Sequence, residues 1–286
     1  MATTMLADHL QKGTLVLFLG AGVSVGLGLP NWVDFVNSIR TKAGLPQISP
    51  TINADQLQIA ADEVRAVVQN INDYHLLLRD ALYVNIANLS SDVLANKLLI
   101  SIGALLMGSK RGSVQRVVTL NYDSMIEWYL SLYGFVVRVV DKLPDLEGGE
   151  DVRVYHVHGF LPHSNMRGYQ NSDEIILGFE SVNKRIGTPG DLWVDMLRHI
   201  ISNGMCLFVG MSENTFNDRA LAPLFTTIGA HVSAVRPTGV YVLTGNRNST
   251  VEQHYLRNNM VPLYVNNYDD IPDYLLGICR EAAGRI

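Results

Sequence analysis

The sequence predicts an α/β fold in which a doubly wound parallel sheet is flanked by helices. Two observations carry this prediction: short runs rich in β-branched residues recur along the chain, and segments with helical periodicity lie between them. Several of these runs are apolar on both faces, as in a parallel strand that is covered on both sides. The predicted strands cover residues 14–19, 116–120, 135–140, 152–157, 205–210, 239–244 and 261–265.

The helices are predicted from apolar periodicity and from capping residues. After the first strand, Asn31 is placed to cap a helix whose apolar face is Trp32, Phe35, Val36 and Ile39. Asp123 or Ser124 can cap the helix after the second strand. Residues 192–201 predict an amphipathic helix that Gly204 ends. The tail predicts a closing helix with an inward face of Ile271, Tyr274, Leu275, Ile278 and Cys279.

The stretch between the first two predicted strands departs from this alternation. It predicts several helices and turns, the helices over 53–70, 73–83 and 92–107 and the turns over 44–50 and 85–92. An α/β crossover usually needs one helix, so we expect an inserted helical module. The chain is therefore predicted to be a single domain over 1–286, with a core of 14–43 and 111–286 and a helical insert of 44–110.

The composition is that of a globular protein with a sizeable core. Of 286 residues, 48% are hydrophobic and 17% are charged, and the net charge of −5 comes without a run of like charges that would suggest nucleic-acid binding. Cys206 and Cys279 are too few for a disulfide framework or a four-cysteine zinc site, and Cys206 is predicted to be a core thiol. No basic leader and no apolar stretch of about 20 residues is present, which predicts a cytoplasmic protein without membrane contact.

The glycine-rich loop after the first strand is a predicted phosphate cradle. Gly20, Ala21 and Gly22 follow the strand directly, so their backbone N–H groups can approach a pyrophosphate closely. The loop does not have the spacing G-x-G-x-x-G, and no acidic residue ends a second strand about 20 positions later, which disfavours an NAD-dependent dehydrogenase. An ordinary strand-to-helix turn is the alternative for this loop.

Other predicted strands end in polar or glycine-containing loops. Asn121 and Asp123 follow the second strand, His158 ends the fourth and is followed by Gly159, and the fifth is followed by Gly210 and Ser212. In one doubly wound sheet these loops converge on a single rim with the first glycine loop. A nucleotide can lie at that rim.

These motifs together resemble the sirtuin superfamily, and more closely its bacterial sirtuin-like NADase branch of anti-phage defence. The matching motifs occur in the family's order and are Gly20-Ala21-Gly22-Val23-Ser24 with Leu29-Pro30, Thr119-x-Asn121-x-Asp123, His158-Gly159 and Gly210-x-Ser212. The deacylases of the superfamily carry a zinc module with paired cysteines, which two cysteines cannot supply. Leu120 and Asn31-Trp32-Val33 also replace the sirtuin glutamine and Asp-Phe-Arg. The resemblance therefore implies a Rossmann-like NAD-binding core without zinc, and the missing cysteines argue against peptide deacylation.

The resemblance also implies a reaction, the hydrolysis of NAD to nicotinamide and ADP-ribose, with cyclisation as a side activity. Asn121 would hold the ribose hydroxyls or the attacking water. His158 would be the general base, a role that suits histidine because it titrates at about pH 6.5 when unperturbed. Asp123 would brace the Asn121 loop or bind ribose. The resemblance assigns the phosphates to Gly20, Ala21, Gly22, Val23, Ser24, Gly210 and Ser212, and the nicotinamide pocket to Pro30 and Trp32.

Alternatives remain open for several of these residues. His156, His158 and His163 could bind a metal ion. Asn121 could cap the helix that follows it. The apolar neighbours of the tryptophans favour core positions for Trp32, Trp128 and Trp193.

Other functions also remain open. The chain could be a regulatory subunit that senses NAD or ADP-ribose without cleaving it, or it could carry out ADP-ribosyl transfer or deacylation of the sirtuin type. An NADase needs restraint, because uncontrolled NAD cleavage is toxic. We therefore expect a homo-oligomer, a separately encoded regulator, or both. In the resembling systems the regulator can be a HerA-like ATPase or an Argonaute-type protein, and segment 44–110 is the predicted interface.

Overall fold

The computed structural model describes residues 2–86, 89–108, 112–146, 148–188, 190–211, 224 and 237–284. Its strands are β1 (Leu15–Leu19), β2 (Arg116–Thr119), β3 (Val137–Val140), β4 (Val152–His156), β5 (Met205–Val209), β6 (Gly239–Thr244) and β7 (Met260–Val265). Each predicted strand is present, with ends within two residues of the predicted ones. The strands thus follow the runs of β-branched residues closely.

The helices lie between and around these strands. The first group, up to β2, is α1 (Ala2–Gln11), α2 (Gly22–Val25), α3 (Trp32–Lys42), α4 (Ala54–Val67), α5 (Ile71–Leu82), α6 (Leu89–Ala95) and α7 (Lys97–Leu106). The later helices are α8 (Met125–Leu132), α9 (Phe179–Gly187), α10 (Leu192–Asn203), α11 (Ser249–Arg257) and α12 (Ile271–Ala283). A short 3₁₀ helix, Tyr268–Asp270, precedes α12. Within the ranges given above, no helix combines the length and the apolar character needed to cross a bilayer.

The strands form one parallel sheet in the order β3-β4-β2-β1-β5-β6-β7. β1 is central, with β2 on one side and β5 on the other. Strands β2 to β4 lie on one side of β1, and β5 to β7 lie on the other. The carboxyl ends of β1 and β5 therefore flank the topological switch point, where ligands bind in folds of this kind. The predicted doubly wound α/β architecture is confirmed.

Both faces of the sheet are buried, and this explains the unbroken apolar runs. In β1, Leu15, Leu17 and Leu19 point into one core while Val16 and Phe18 point into the other, as the period of two along a strand requires. Helices α1, α3, α7, α8 and α12 pack on the first face, and α10 and α11 pack on the second. Cys206 lies fully buried in the second core, which confirms its predicted role as a core thiol.

In the described part of segment 44–110, the structure contains four helices where three were predicted. The single helix expected over 92–107 is two helices, α6 and α7, and α6 already begins within the predicted turn over 85–92. The reason is local: the side chain of Asn96 accepts a hydrogen bond from the N–H of Leu99 at 3.0 Å and caps α7. α7 packs against α8 and α12, so it belongs to the main core. The division into a core and an insert remains a prediction.

Candidate functional site

The loops after β1 and β5 are in direct contact at the switch point. The N–H of Gly20 donates to Val209 O at 3.0 Å, and the N–H of Gly22 donates to Gly210 O at 2.8 Å. A Cβ on Gly20 or Gly22 would lie 2.7 or 2.8 Å from Gly210 O, so only glycine fits at either position. The hydroxyl of Tyr268 donates to the carbonyl of Gly22 from the other side. The glycines are therefore required by packing between two loops.

Most backbone donors of the first glycine loop are already used within the protein. The N–H groups of Val23 and Ser24 donate to Gly20 O and Ala21 O at 3.0 Å. Ala21 is exposed, and its N–H has no acceptor among the described residues. In this conformation Ala21 is therefore the donor of the loop that can reach a ligand. Ser212, predicted to bind a phosphate, lies outside the described residues.

The side chain of Asn121 connects the loops after β1 and β2. Its amide Nδ2 lies 3.1 Å from Gly20 O and 3.4 Å from Ser24 Oγ. A carbonyl oxygen only accepts hydrogen bonds, so the contact with Gly20 fixes which atom of the amide is nitrogen. The other atom, Oδ1, has no hydrogen-bond partner in the described part of the chain. An acceptor is thus held at the switch point and is free for a ligand.

The cap of α8 is supplied by Asp123. Its Oδ1 accepts a hydrogen bond from the N–H of Met125 at 3.1 Å, whereas the Ser124 side chain makes no capping bond. The alternative in which Asn121 caps this helix is therefore wrong. Asp123 is buried and also bonds to Ser24, and burial raises the pKa of its carboxyl. Ser24 is buried as well and contacts Asn121 and Asp123, so its hydroxyl faces these side chains.

His158 lies just beyond the end of β4, close to the residue that follows Asn121. Its ring centroid is 6.4 Å from that of Tyr122, and its backbone O accepts from the N–H of Ile176 at 2.8 Å. Gly159 turns the chain away with φ +98°, and a Cβ there would lie 2.6 Å from Glu174 O. Tyr122 also donates to Ile176 O at 2.7 Å. His158 and Asn121 thus lie at the same edge of the sheet, as predicted from the loop positions.

Pro30 and Trp32, predicted to wall the nicotinamide, lie just before α3 and at its start. Trp32 begins α3 and is half-buried against the first core, and Pro30 is half-buried two residues earlier. Phe35, one turn along α3, lies 6.1 Å from the Tyr122 ring. Trp193 is a buried core residue, in agreement with its predicted position.

A buried pair that was not predicted from the sequence lies behind Asn121. His156, the last residue of β4, has Nε2 2.8 Å from Glu127 Oε1 and Nδ1 3.0 Å from the backbone O of Asn121. Both ring nitrogens therefore have protein partners, which argues against the metal site considered for His156. Within the described residues, no group of three or more His, Cys, Asp or Glu side chains is arranged to hold a metal ion.

The sequence profile of the SIR2-like domain matches residues 115–263, more than half of the chain. The chain belongs to the SIR2-like family. The resemblance to the sirtuin superfamily is thereby confirmed, while membership of its anti-phage branch stays a prediction. The matched segment of this SIR2-like chain runs from the residue before β2 into β7 and includes Asn121 and His158.

Two further comparisons, with curated sequences and with solved structures, do not identify the activity. No curated protein sequence matches this SIR2-like chain. Among solved structures, it is similar to the crystal structure of a Sir2 homolog–NAD complex, with 15% sequence identity and a TM-score of 0.48. That similarity covers 94% of this chain and 90% of the other.

One signal for the buried pair was present in the sequence of this SIR2-like chain. Glu127 is a charged residue within the apolar run Met125-Ile126-Glu127-Trp128-Tyr129. A carboxylate is rarely buried without a partner, so its place on an apolar helix indicates a specific contact. The identity of the partner could not be inferred, because Glu127 and His156 are 29 residues apart.

Proposed function

We propose that this SIR2-like protein is an NAD glycohydrolase that releases nicotinamide and ADP-ribose. The observation that carries the proposal is the free Oδ1 of Asn121, fixed by Gly20 and Ser24 at the switch point of the sheet. Membership of the SIR2-like family and the resemblance to sirtuin-like NADases support NAD as the substrate. The site has an acceptor for a hydroxyl or water and a histidine at the same edge of the sheet, which are the groups that such a hydrolysis needs.

Cleavage of the N-glycosidic bond passes through an oxocarbenium-like state at the anomeric carbon of the ribose. The bond to nicotinamide breaks and its electron pair leaves with the ring. A water oxygen then bonds to the anomeric carbon. In this proposal Asn121 Oδ1 accepts a hydrogen bond from a ribose hydroxyl or from that water, and His158 takes the proton that the water loses.

The remaining residues are proposed to hold the substrate. Ala21, which is exposed and whose N–H has no acceptor among the described residues, is proposed to bind a phosphate oxygen, together with Gly210 and Ser212. Gly20 and Gly22 allow the close approach of the two loops, and Val23 and Ser24 continue the first of them. Ser24 and Asp123 orient Asn121 through their buried contacts. Pro30 and Trp32 are proposed to wall the nicotinamide.

Chromatography of the products formed from NAD labelled in its adenosine portion tests this proposal. We expect label to appear in ADP-ribose, with an equal amount of nicotinamide, and cyclic ADP-ribose as a minor product at most. Label bound to protein would instead establish ADP-ribosyl transfer. Binding of NAD in a calorimeter without any product, in the presence of purified host proteins as well, would favour the regulatory-subunit alternative.

The biological role is proposed from the resemblance. We propose that the protein depletes cytoplasmic NAD as an effector of anti-phage defence and that self-association or a separately encoded regulator restrains it. Segment 44–110 stays the predicted interface. Its helices expose several large apolar side chains, namely Ile59, Val67, Ile71, Leu76, Leu94 and Ile100. The partner, whether a HerA-like ATPase or an Argonaute-type protein, stays a prediction.

A further inference from the structure

A buried acid and base lie directly behind the loop that carries Asn121. Glu127 on α8 and His156 at the end of β4 are each 1% exposed. Two ionisable groups are costly to remove from water, and an apolar pair of the same shape often gives a fold equal stability. The contact between Glu127 and His156 therefore suggests a role other than stability.

The hydrogen bonds of His156 restrict where the protons of this pair can lie. Asn121 O, 3.0 Å from Nδ1, can only accept, so Nδ1 carries a proton. An ionised Glu127 also only accepts, so Nε2 carries the second proton and the ring is an imidazolium. Burial by itself lowers the pKa of His156, but the Glu127 carboxylate and the Asn121 carbonyl outweigh it and raise that pKa above the ordinary value. The alternative is a neutral ring whose Nε2 accepts a hydrogen bond from a protonated Glu127.

We propose that Glu127 and His156 form a buried carboxylate–imidazolium pair that positions Asn121 for the cleavage of NAD. The inference rests on the proposed function, and Glu127 acts only as a positioning residue. Asn121 is held at three points: its N–H donates to Thr119 Oγ1 at 3.0 Å, its O accepts from His156, and its Nδ2 donates to Gly20 O at 3.1 Å. These bonds leave Oδ1 as the atom directed to a ligand. Without the hydrogen bond from His156, the backbone carbonyl of Asn121 would be free to rotate, and Oδ1 would no longer be held toward the ligand.

In the described part of the chain, Asp123, Tyr83 and Tyr169 are titratable groups that also face this pair. Asp123 is the other buried acid beside His156, and burial raises the pKa of Asp123. Tyr83 and Tyr169 also face Glu127, and burial raises the pKa of each, so both remain neutral at neutral pH. Glu127 Oε2 has no hydrogen-bond partner among the described residues. Glu127 also lines a cavity of about 10 Å³ with Ser24 and Asp123, which is space for one water molecule.

The substitution Glu127→Gln tests the pair with little change in shape. The variant is expected to lower kcat for NAD cleavage on the order of tenfold to a hundredfold, with little change in NAD affinity. A neutral His156 ring carries one proton for two acceptors. When that proton lies on Nε2, toward the new amide oxygen, Nδ1 no longer donates to Asn121 O and Asn121 is not held for the transition state. The alkaline limb of the variant's pH–rate profile is expected to begin at a lower pH than that of the wild type. Without the carboxylate, His156 in its buried site loses its proton earlier as the pH rises. The acidic limb should not move.

Glu150→Gln is the matched control, because Glu150 pairs with Arg153 near the other end of β4. It should leave kcat and both limbs of the pH profile unchanged. Ring ¹⁵N NMR of His156 provides a readout that does not depend on activity. Wild-type protein should show both nitrogens protonated at pH 7, and Glu127→Gln should show a neutral ring.

The outcomes separate the two proposals. A neutral His156 ring in the wild type, or a Glu127→Gln variant with unchanged kcat and pH profile, overturns the positioning role of Glu127. A charged ring in a wild-type protein that does not cleave NAD overturns the proposed function and, with it, the reaction that Glu127 is said to serve. If Glu127→Gln does not fold, the measurement on the wild-type ring still decides the charge of the pair.

Discussion

Replacing His158 with alanine is expected to lower the rate of NAD cleavage by about 10²-fold to 10⁴-fold without unfolding the protein. This loss corresponds to about 3 to 5 kcal/mol of the activation barrier. The proton of the attacking water would then pass to solvent without a positioned base. The rate is measured as nicotinamide release under saturating NAD, with the melting temperature recorded for the same sample.

His199→Ala is the matched control for this prediction. His199 is exposed near the end of α10, which leads into the amino end of β5, whereas the proposed site lies at the carboxyl ends of the strands. Its loss should therefore leave turnover unchanged. A well-folded His158→Ala variant with wild-type turnover would contradict the role of His158 as the base. The proposed site would then need a different proton acceptor.

Replacing Gly22 with alanine is expected to disrupt the contact between the loops after β1 and β5. The new Cβ would lie 2.8 Å from both Cα and O of Gly210. These are backbone atoms, which cannot move aside by a change of rotamer as a side chain can. We expect a loss of about 1 to 3 kcal/mol in the free energy of unfolding, as for overpacking in a core. The N–H of Ala21 would also move, so NAD affinity should fall at least about tenfold, or about 1.4 kcal/mol. Thermal unfolding and calorimetric titration with NAD measure the two effects.

Gly277→Ala controls for the substitution itself. Gly277 lies within α12, and a Cβ there would meet nothing within 4 Å. Alanine in a helix interior stabilises by roughly 0.5 to 1 kcal/mol relative to glycine, so this variant should be at least as stable as the wild type. Equal stability and equal NAD affinity in Gly22→Ala and Gly277→Ala would show that the loop contact is not needed.

The strands could be predicted from the sequence because their physical requirement is local. A strand buried on both faces must be apolar throughout, and β1 meets this condition with Leu15, Val16, Leu17, Phe18 and Leu19. The loop positions follow, because all strands are parallel and their carboxyl ends share one edge. The sequence alone is therefore sufficient to place Asn121 and His158 at the same edge.

The break between α6 and α7 depends on whether the side chain of Asn96 bonds to the backbone or lies on the face of a continuous helix. The segment from 92 to 107 has nearly continuous helical periodicity, and a single polar residue decides where it is interrupted. Asn96 bonds to the backbone N–H of Leu99 and starts a new helix. Periodicity alone does not reveal that choice, because asparagine is also tolerated on the exposed face of a helix.

The pairing of Glu127 with His156 depends on strand order. β4 lies next to β2, although β3 comes between them in the chain, and this places the end of β4 beside α8. Apolar patterns predict that a strand is buried but not which strand is its neighbour. The sequence could therefore show an unusual Glu127 without showing what it contacts. The same limit applies to Ser24, which was predicted at a phosphate and contacts Asn121 and Asp123.

The most direct test of the proposed function is proton NMR of purified protein with NAD, following free nicotinamide over time. Wild-type protein and an Asn121→Ala variant are compared with Asn203→Ala, a control at the exposed end of α10. We predict nicotinamide release by the wild type and by Asn203→Ala, and its loss in a folded Asn121→Ala protein. Release that persists unchanged in Asn121→Ala would contradict the central claim that the free Oδ1 of Asn121 serves NAD cleavage.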